Sequence, residues 1–214
     1  MKLIVFDLDG TLVDSRRDLA DAANAVLVSA GAAPLEEETI GRMVGSGAAV
    51  LVSRAFAAAG CDPPPDALDR FLAAYDDRVL RFTRPYPGII DALEPLSRNA
   101  RLAVLTNKPL GPTRAILDGL GMGPYFPALR VRGGDGPLPR KPDPAGLNAF
   151  ASEAGVPMQE VALVGDSSID WHTARAAGAH ACLVRWGFGF ESLDAEHLGS
   201  ASVIDRPDQL LSLL

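Results

Sequence analysis

Residues 4–15 read Ile-Val-Phe-Asp-Leu-Asp-Gly-Thr-Leu-Val-Asp-Ser, and this stretch indicates both the fold and the place of a functional site. The apolar run at 3–6 is β-branched and aromatic without interruption, which is typical of a strand buried on both faces of a parallel sheet. The run stops at two carboxylates, Asp7 and Asp9, and a Gly-Thr break follows. Because open α/β folds bind ligands at the carboxyl edge of the sheet, we predict a site there. The alternative is a strand that ends in a solvated acidic turn.

Strand-like and helical patterns alternate along the second half of the chain. The strand-like runs lie at 102–106, 161–165 and 181–184, and the helical patterns lie at 112–121, 143–155 and 168–178. Alternation of this kind predicts an α/β fold with a Rossmann-like, doubly wound parallel sheet that is covered by helices.

The segment 14–84 departs from this alternation. It has no convincing strand, and helical periodicity recurs in it at 17–30, 36–44, 48–59 and 65–82. Runs rich in Gly and Pro at 31–34 and 60–65 break these helices. We therefore predict an α/β catalytic core made of 1–13 and 85–214, with an inserted α-helical cap at 14–84.

The charge balance and the cysteine content restrict the partners of the protein. The formal net charge is −7 without a basic run, which argues against nucleic acid and against an anionic membrane surface. There is no run of about 18 apolar residues and no signal-peptide pattern, so we expect a cytoplasmic protein. The only cysteines, Cys61 and Cys182, are far apart and are expected to be reduced thiols. No pattern indicates how many subunits assemble.

Four polar segments adjoin the predicted strands and would meet at one sheet edge. They are Asp-Leu-Asp-Gly-Thr at 7–11, Thr-Asn-Lys-Pro at 106–109, Arg-Lys-Pro-Asp-Pro at 140–144 and Gly-Asp-Ser-Ser-Ile-Asp at 165–170. Together they resemble the phosphatase branch of the haloacid dehalogenase (HAD) superfamily. With Trp-Gly-Phe-Gly at 186–189, they are most similar to the phosphoglycolate phosphatase subfamily. The segment 14–84 resembles the helical C1 cap of that superfamily in position and length.

This resemblance implies an enzyme that hydrolyses small phosphorylated metabolites, with 2-phosphoglycolate as the preferred substrate. Phosphoryl transfer from an ester needs a nucleophile, a proton for the leaving oxygen and neutralisation of spreading negative charge. By resemblance, Asp7 is the nucleophile and forms an aspartyl-phosphate. Asp9 then protonates the leaving oxygen and afterwards assists the attacking water.

The resemblance also implies Mg²⁺ as the cofactor, because a divalent cation relieves the repulsion between adjacent carboxylates and a phosphate dianion. Its expected ligands are Asp7, the backbone carbonyl of Asp9, and Asp166, all of which offer the hard oxygens that Mg²⁺ prefers. Asp170 lies one helical turn after Asp166, so it faces the same site either as a ligand or as a support for the ligands.

The phosphate is expected to contact one of the few lysines and the polar residues that follow the strands. The chain has only three lysines, Lys2, Lys108 and Lys141, and an acidic protein that binds an anion must gather its positive charge locally. We predict Lys141 and Thr106 as catalytic residues that also bind the phosphate, with Asn107 as a further phosphate contact. Lys108 is open between a contact at the edge of the site and a solvated surface charge.

The cap carries the least specific predictions. Gly45 and Ser46 belong to a Gly-Ser-Gly turn that precedes a helical pattern, and their N–H groups are candidates to bind a small anion. A dinucleotide fingerprint is rejected because the turn lacks a third glycine and follows no strand. Four arginines are candidate partners of a substrate carboxylate, although each is more often a solvated charge: Arg42, Arg78, Arg81 and Arg84.

Other activities on the same fold are also considered. A sugar-phosphate phosphatase or a phosphomutase remains possible, since mutases share both aspartates. Dehalogenases lack the second acid at the position of Asp9, and phosphonatases need a cap lysine, of which 14–84 has none. A catalytically silent binding protein would show degraded motifs, whereas all four motifs are intact.

Overall fold

A computed structural model describes all residues from Met1 to Leu214. The strands are β1 (Leu3–Phe6), β2 (Val13–Asp14), β3 (Arg84–Pro85), β4 (Arg101–Leu105), β5 (Val131–Arg132), β6 (Val161–Gly165), β7 (His180–Val184) and β8 (Ser202–Ile204). The helices are α1 (Arg16–Ser29), α2 (Glu37–Gly41), α3 (Ala48–Ala58), α4 (Ala67–Asp76), α5 (Ile89–Asn99), α6 (Leu110–Gly119), α7 (Ala145–Ala154), α8 (Ser168–Ala177) and α9 (Ala195–Ser200).

Six of the strands form one parallel sheet in the order β5-β4-β1-β6-β7-β8. The chain builds outward from β1 through β4 to β5, and it then returns to the other side of β1 to add β6, β7 and β8. In the register of the sheet, Phe6 pairs with Val104 on one side and with Val164 on the other. The direction of winding therefore reverses at β1, and ligands bind at such a switch point.

Helices cover both faces of the sheet, which explains why its strands are apolar throughout. Side chains alternate between faces along a strand, so Ile4 and Phe6 pack in a cluster with residues of α5 and α6. Leu3 and Val5 pack in another cluster with residues of α7 and α8. The predicted α/β fold with a doubly wound parallel sheet is confirmed.

The helices α1 to α4 lie between β2 and β3 and share a separate cluster of 14 buried residues. β2 and β3 pair with each other in antiparallel fashion, Val13 with Pro85 and Asp14 with Arg84. The two segments that connect the sheet to the inserted helices therefore lie side by side. The buried carboxylate of Asp18 adds a further link, because it accepts hydrogen bonds from the backbone N–H groups of Phe82 and Thr83. The boundaries 13/14 and 84/85 of the cap remain a prediction.

Most predicted elements are present with small shifts, and the missed ones are short or interrupted. β1 and β6 have the predicted bounds. The helix predicted at 65–82 is shorter, because α4 ends at Asp76 and turns follow at 77–81. The sequence patterns did not predict the strands β2, β3, β5 and β8 or the helices α5 and α9. β5 has two residues, and α5 contains Pro95, which interrupts helical patterns. Cys61 and Cys182 are free thiols as predicted, and none of the helices has the length and apolar character to span a membrane.

Candidate active site

Three aspartates converge at the carboxyl edge of the sheet. Asp7 directly follows β1, Asp166 directly follows β6, and Asp170 lies in the first turn of α8. All three are buried, and one ligand oxygen from each lies within 4.8 Å of the others. Parallel strands that end side by side thus bring together residues far apart in sequence.

Lys141 lies between two of these carboxylates. Its Nζ atom is 2.9 Å from Oδ1 of Asp7 and 2.6 Å from Oδ1 of Asp170. The side chain of Asn107 holds the Lys141 backbone, because its Oδ1 accepts from the Lys141 N–H and its Nδ2 donates to the Lys141 carbonyl, each at 2.9 Å. The same Nδ2 donates to the carbonyl of Gly45 at 2.9 Å. The Asn107 side chain therefore positions Lys141 and joins the core to the turn that precedes α3.

Asp9 has partners of its own. The Nζ atom of Lys108 is 3.0 Å from both Asp9 oxygens, and Ser15 Oγ donates to Oδ1 at 2.6 Å. Lys108 is buried, so it is a contact of the site and not a solvated charge. The sequence analysis did not predict Ser15 as a site residue. Its position at the end of the stretch 4–15 was the only feature that could have indicated this role.

The backbone of three glycines, Gly10, Gly187 and Gly189, lies close to the Asp166 side chain. It accepts hydrogen bonds from Thr11 Oγ1 at 3.2 Å and from the Gly189 N–H at 2.7 Å. A Cβ atom added to Gly10 would lie 2.1 Å from Oδ2 of Asp166, and one added to Gly187 would lie 2.1 Å from Cβ of Asp166. The Trp-Gly-Phe-Gly segment at 186–189 therefore packs against Asp166, because only glycine permits such an approach.

The charge balance of the cluster favours a cation. Four carboxylates, those of Asp7, Asp9, Asp166 and Asp170, face two ammonium groups, those of Lys108 and Lys141. Burial raises the pKa of Asp7 to about 6, and the Asp170 carboxylate adds to this while Lys141 opposes it. Burial, followed by the Asp170 and Asp7 charges, raises the pKa of Asp166 well above its usual value. A buried set of hard oxygen ligands with excess negative charge fits Mg²⁺.

The remaining predicted residues are placed differently. Thr106 is buried at the end of β4 and its Oγ1 accepts from the Lys108 N–H at 3.2 Å. Gly45 lines the cavity between the sheet edge and the inserted helices, while Ser46 of the same turn is half-buried and does not line it. None of the four candidate arginines lines this cavity, and Arg42 lies 3.9 Å from Glu191 with 55% of its side chain exposed.

The cavity joins the polar cluster to an apolar chamber. Asp7, Asp9, Thr106, Asn107 and Lys108 line it on the core side. The inserted helices contribute mainly apolar side chains: Leu19, Val44, Leu51, Phe71, Leu72 and Tyr75. A small ligand in this cavity would therefore have its charged end at the sheet edge and its remainder against the inserted helices.

Replacement of Gly187 by Ala is expected to weaken the site. The new Cβ would lie 2.4 Å from the Gly10 carbonyl oxygen and 2.1 Å from Asp166 Cβ, so the backbone must shift, at a cost of roughly 1–3 kcal/mol. We expect a lower melting temperature and a loss of the phosphate-ester hydrolysis that the sequence motifs imply. The control is Gly199→Ala in α9, where nothing lies within 4 Å; an unchanged Gly187→Ala variant would contradict the close packing.

A doubly wound sheet with clustered aspartates and buried lysines at its carboxyl edge is typical of hydrolases that use an aspartate as the nucleophile. The chain belongs to the haloacid dehalogenase-like hydrolase family, whose family model matches residues 4–184. The membership inferred from the four motifs is thereby confirmed.

Individual relatives extend this similarity over almost the whole chain. The phosphoglycolate phosphatase of Rhodospirillum rubrum is 44% identical over 213 residues, which cover 95% of this chain and 87% of that protein. Phosphoglycolate phosphatase 1 of Pseudomonas aeruginosa is 38% identical and covers 98% of this chain and 78% of its own length. A crystal structure of a predicted phosphoglycolate phosphatase from Haemophilus somnus superposes with a TM-score of 0.92 at 29% identity, over 100% of this chain and 97% of that one.

Proposed function

We propose that this protein is a phosphatase of small phosphorylated metabolites, with 2-phosphoglycolate as its preferred substrate. The observation that carries the proposal is the 2.9 Å contact between Lys141 and Asp7, since Asp7 and Asp9 both line the cavity. A nucleophile, a cation and an acid are thus adjacent, as hydrolysis of a phosphate ester requires. The relatives from Rhodospirillum rubrum and Pseudomonas aeruginosa, both named phosphoglycolate phosphatase, support the choice of substrate.

The proposed reaction has two half-reactions that share the same residues. In the first, a carboxylate oxygen of Asp7 bonds to phosphorus, the ester P–O bond breaks, and Asp9 gives its proton to the leaving oxygen. In the second, water attacks phosphorus, Asp9 takes the proton of the water, and the bond to Asp7 breaks to release inorganic phosphate. Lys141 neutralises charge on the phosphoryl oxygens throughout, and Thr106 binds them at the end of β4.

Mg²⁺ is the proposed cofactor. Asp7, Asp166 and the backbone carbonyl of Asp9 would hold it. The oxygens of Asp170 already contact Lys141 and Ser167, at 2.6 Å each, which favours a supporting role for Asp170 over direct ligation. When bound, Mg²⁺ supplies Lewis-acid stabilisation and a template for the phosphate. A cytoplasmic location and a small phosphorylated metabolite as the partner stay predictions.

The test is a panel of phosphate esters ranked by kcat/KM with Mg²⁺ and with EDTA. We expect 2-phosphoglycolate to rank above glucose 6-phosphate, β-glucose 1-phosphate and p-nitrophenyl phosphate, and EDTA to remove all activity. Mg²⁺ at about 100 times its Kd should also raise the melting temperature by roughly 5–10 °C, since such binding stabilises a folded protein by about 2.7 kcal/mol.

Three outcomes would contradict the proposal in different ways. Isomerised sugar phosphate without released phosphate would indicate a phosphomutase. A higher kcat/KM for a sugar phosphate would retain the phosphatase and reject the substrate. No hydrolysis of any ester would indicate a binding protein on this fold.

A further inference from the structure

Tyr75 carries a hydroxyl group that lacks a partner. It lies on α4, its ring stacks on Phe71 with centroids 6.0 Å apart, and it lines the cavity above Asp9. The residue is only 2% exposed, and its Oη atom is buried without a hydrogen bond. Buried tyrosine hydroxyls nearly always have a partner. An orphaned hydroxyl on a cavity wall therefore indicates a group that a ligand supplies.

Lys108 faces the same part of the cavity. Its Nζ atom lies 4.4 Å from the centroid of the Tyr75 ring and 3.0 Å from both oxygens of Asp9. Among the residues that line the cavity, Lys108 is the only one with a cationic side chain. A buried ammonium group next to a buried tyrosine hydroxyl on one cavity wall is suited to bind a carboxylate.

We infer that Tyr75 and Lys108 form a subsite for the leaving group, and that this subsite binds the carboxylate of a short phosphorylated acid. The inference rests on the proposed function, because it assumes that Asp9 protonates the ester oxygen. Asp9 must then lie within hydrogen-bond reach of that oxygen. A carboxylate one carbon away from the same oxygen reaches the ammonium group that already contacts Asp9.

The side of the wall that the inserted helices form is largely apolar. Beyond Tyr75 and Lys108 the inserted helices present Leu19, Leu51 and Phe71 to the cavity. These side chains offer no hydrogen-bonding partner to the hydroxyl groups of a sugar, and burying an unpaired hydroxyl costs free energy. The subsite therefore favours a phosphorylated acid without further hydroxyl groups over a polyhydroxylated substrate.

Binding of a non-hydrolysable pair of ligands tests the subsite apart from turnover. The probes are 3-phosphonopropionate, which carries the carboxylate, and propylphosphonate, which has the same length without it, measured by calorimetry with Mg²⁺. Tyr75→Phe removes only the hydroxyl, so we expect the affinity ratio of the two probes to fall by about 10- to 100-fold, as for a lost hydrogen bond to a charged group. Lys108→Met should lower the ratio at least as much.

Tyr86→Phe is the matched control. The Tyr86 hydroxyl is also buried without a partner, but Tyr86 does not line this cavity. Its ring packs near Trp186, with 6.4 Å between the ring centroids. We expect this variant to keep the wild-type ratio. An unchanged ratio in both Tyr75→Phe and Lys108→Met would overturn the subsite, as would an equal change in Tyr86→Phe. Failure of the proposed function would give a different result, because the wild-type protein would then release no phosphate from any ester.

Discussion

Asp7→Asn is expected to lower the kcat of phosphate-ester hydrolysis by on the order of 10⁴-fold or more, a loss comparable to that of other covalent nucleophiles. Asn cannot form the acyl-phosphate, and the Asp9 carboxylate that remains is paired with Lys108 at 3.0 Å. The measurement is single-turnover and steady-state release of phosphate from 2-phosphoglycolate with Mg²⁺.

The same variant should remain folded in EDTA. Burial raises the pKa of Asp7 to about 6, so the folded state holds its proton more tightly than the unfolded state does. The cost of ionising Asp7 grows as the pH rises from about 4 to about 6, and it is fully present at neutral pH. Asn resembles the protonated acid, so we expect a melting temperature at or above that of the wild type at neutral pH.

Asp21→Asn is the control for this experiment, because Asp21 is an exposed acid on α1 outside the cavity. It should keep wild-type activity. Turnover near the wild-type rate in Asp7→Asn, free of wild-type contamination, would reject Asp7 as the nucleophile. An unfolded Asp7→Asn variant would reject the account of its burial.

Lys141→Met is the second change with a large expected effect, and it should reduce both activity and stability. Lys141 is buried with Nζ between Asp7 and Asp170, at 2.9 Å and 2.6 Å. Met keeps the unbranched stem and removes the charge, which leaves two buried carboxylates without their cation. Removal of one member of a buried ion pair costs about 3–5 kcal/mol. Denaturant unfolding in EDTA at neutral pH measures this loss.

Activity of Lys141→Met should fall by about 10²-fold or more, because a preorganised charge on the transferred group is removed. Mg²⁺ should restore part of the stability, since it compensates the same carboxylates. Lys2→Met is the control, as Lys2 pairs with Glu160 on the surface with 68% of its side chain exposed, and such pairs contribute little. If Lys141→Met were as stable as Lys2→Met in EDTA, the buried ion pair would not support the fold.

The core of the site was accessible from the sequence because local patterns placed its residues. Asp7, Thr106 and Asp166 each directly follow an apolar strand run, and parallel strands end at a common edge. The glycines at 187 and 189 were visible as a motif, but only the three-dimensional packing showed that they make room for Asp166. Likewise, the two-residue strands β2 and β3 became evident only through their mutual pairing.

The cap was predicted as helices, while its contribution to the site was not. Tyr75 lies in an ordinary amphipathic helix, so no pattern distinguished it from the core residues around it. Charge alone suggested the arginines 42, 78, 81 and 84, and none of them lines the cavity. Lys108 was undecided because its sequence neighbours do not reveal that Asp9 and Tyr75 enclose it.

By itself the sequence determined the α/β class, the family and the residues at the strand ends, since hydrophobic periodicity and strand-end chemistry are local properties of the chain. The tertiary structure decided which charges are paired, buried and adjacent. Lys141 lies between Asp7 and Asp170, and Lys108 lies against Asp9 and under Tyr75. The edge of the parallel sheet brings the charged residues together from distant parts of the sequence, and the packing of the inserted helices over that edge adds Tyr75.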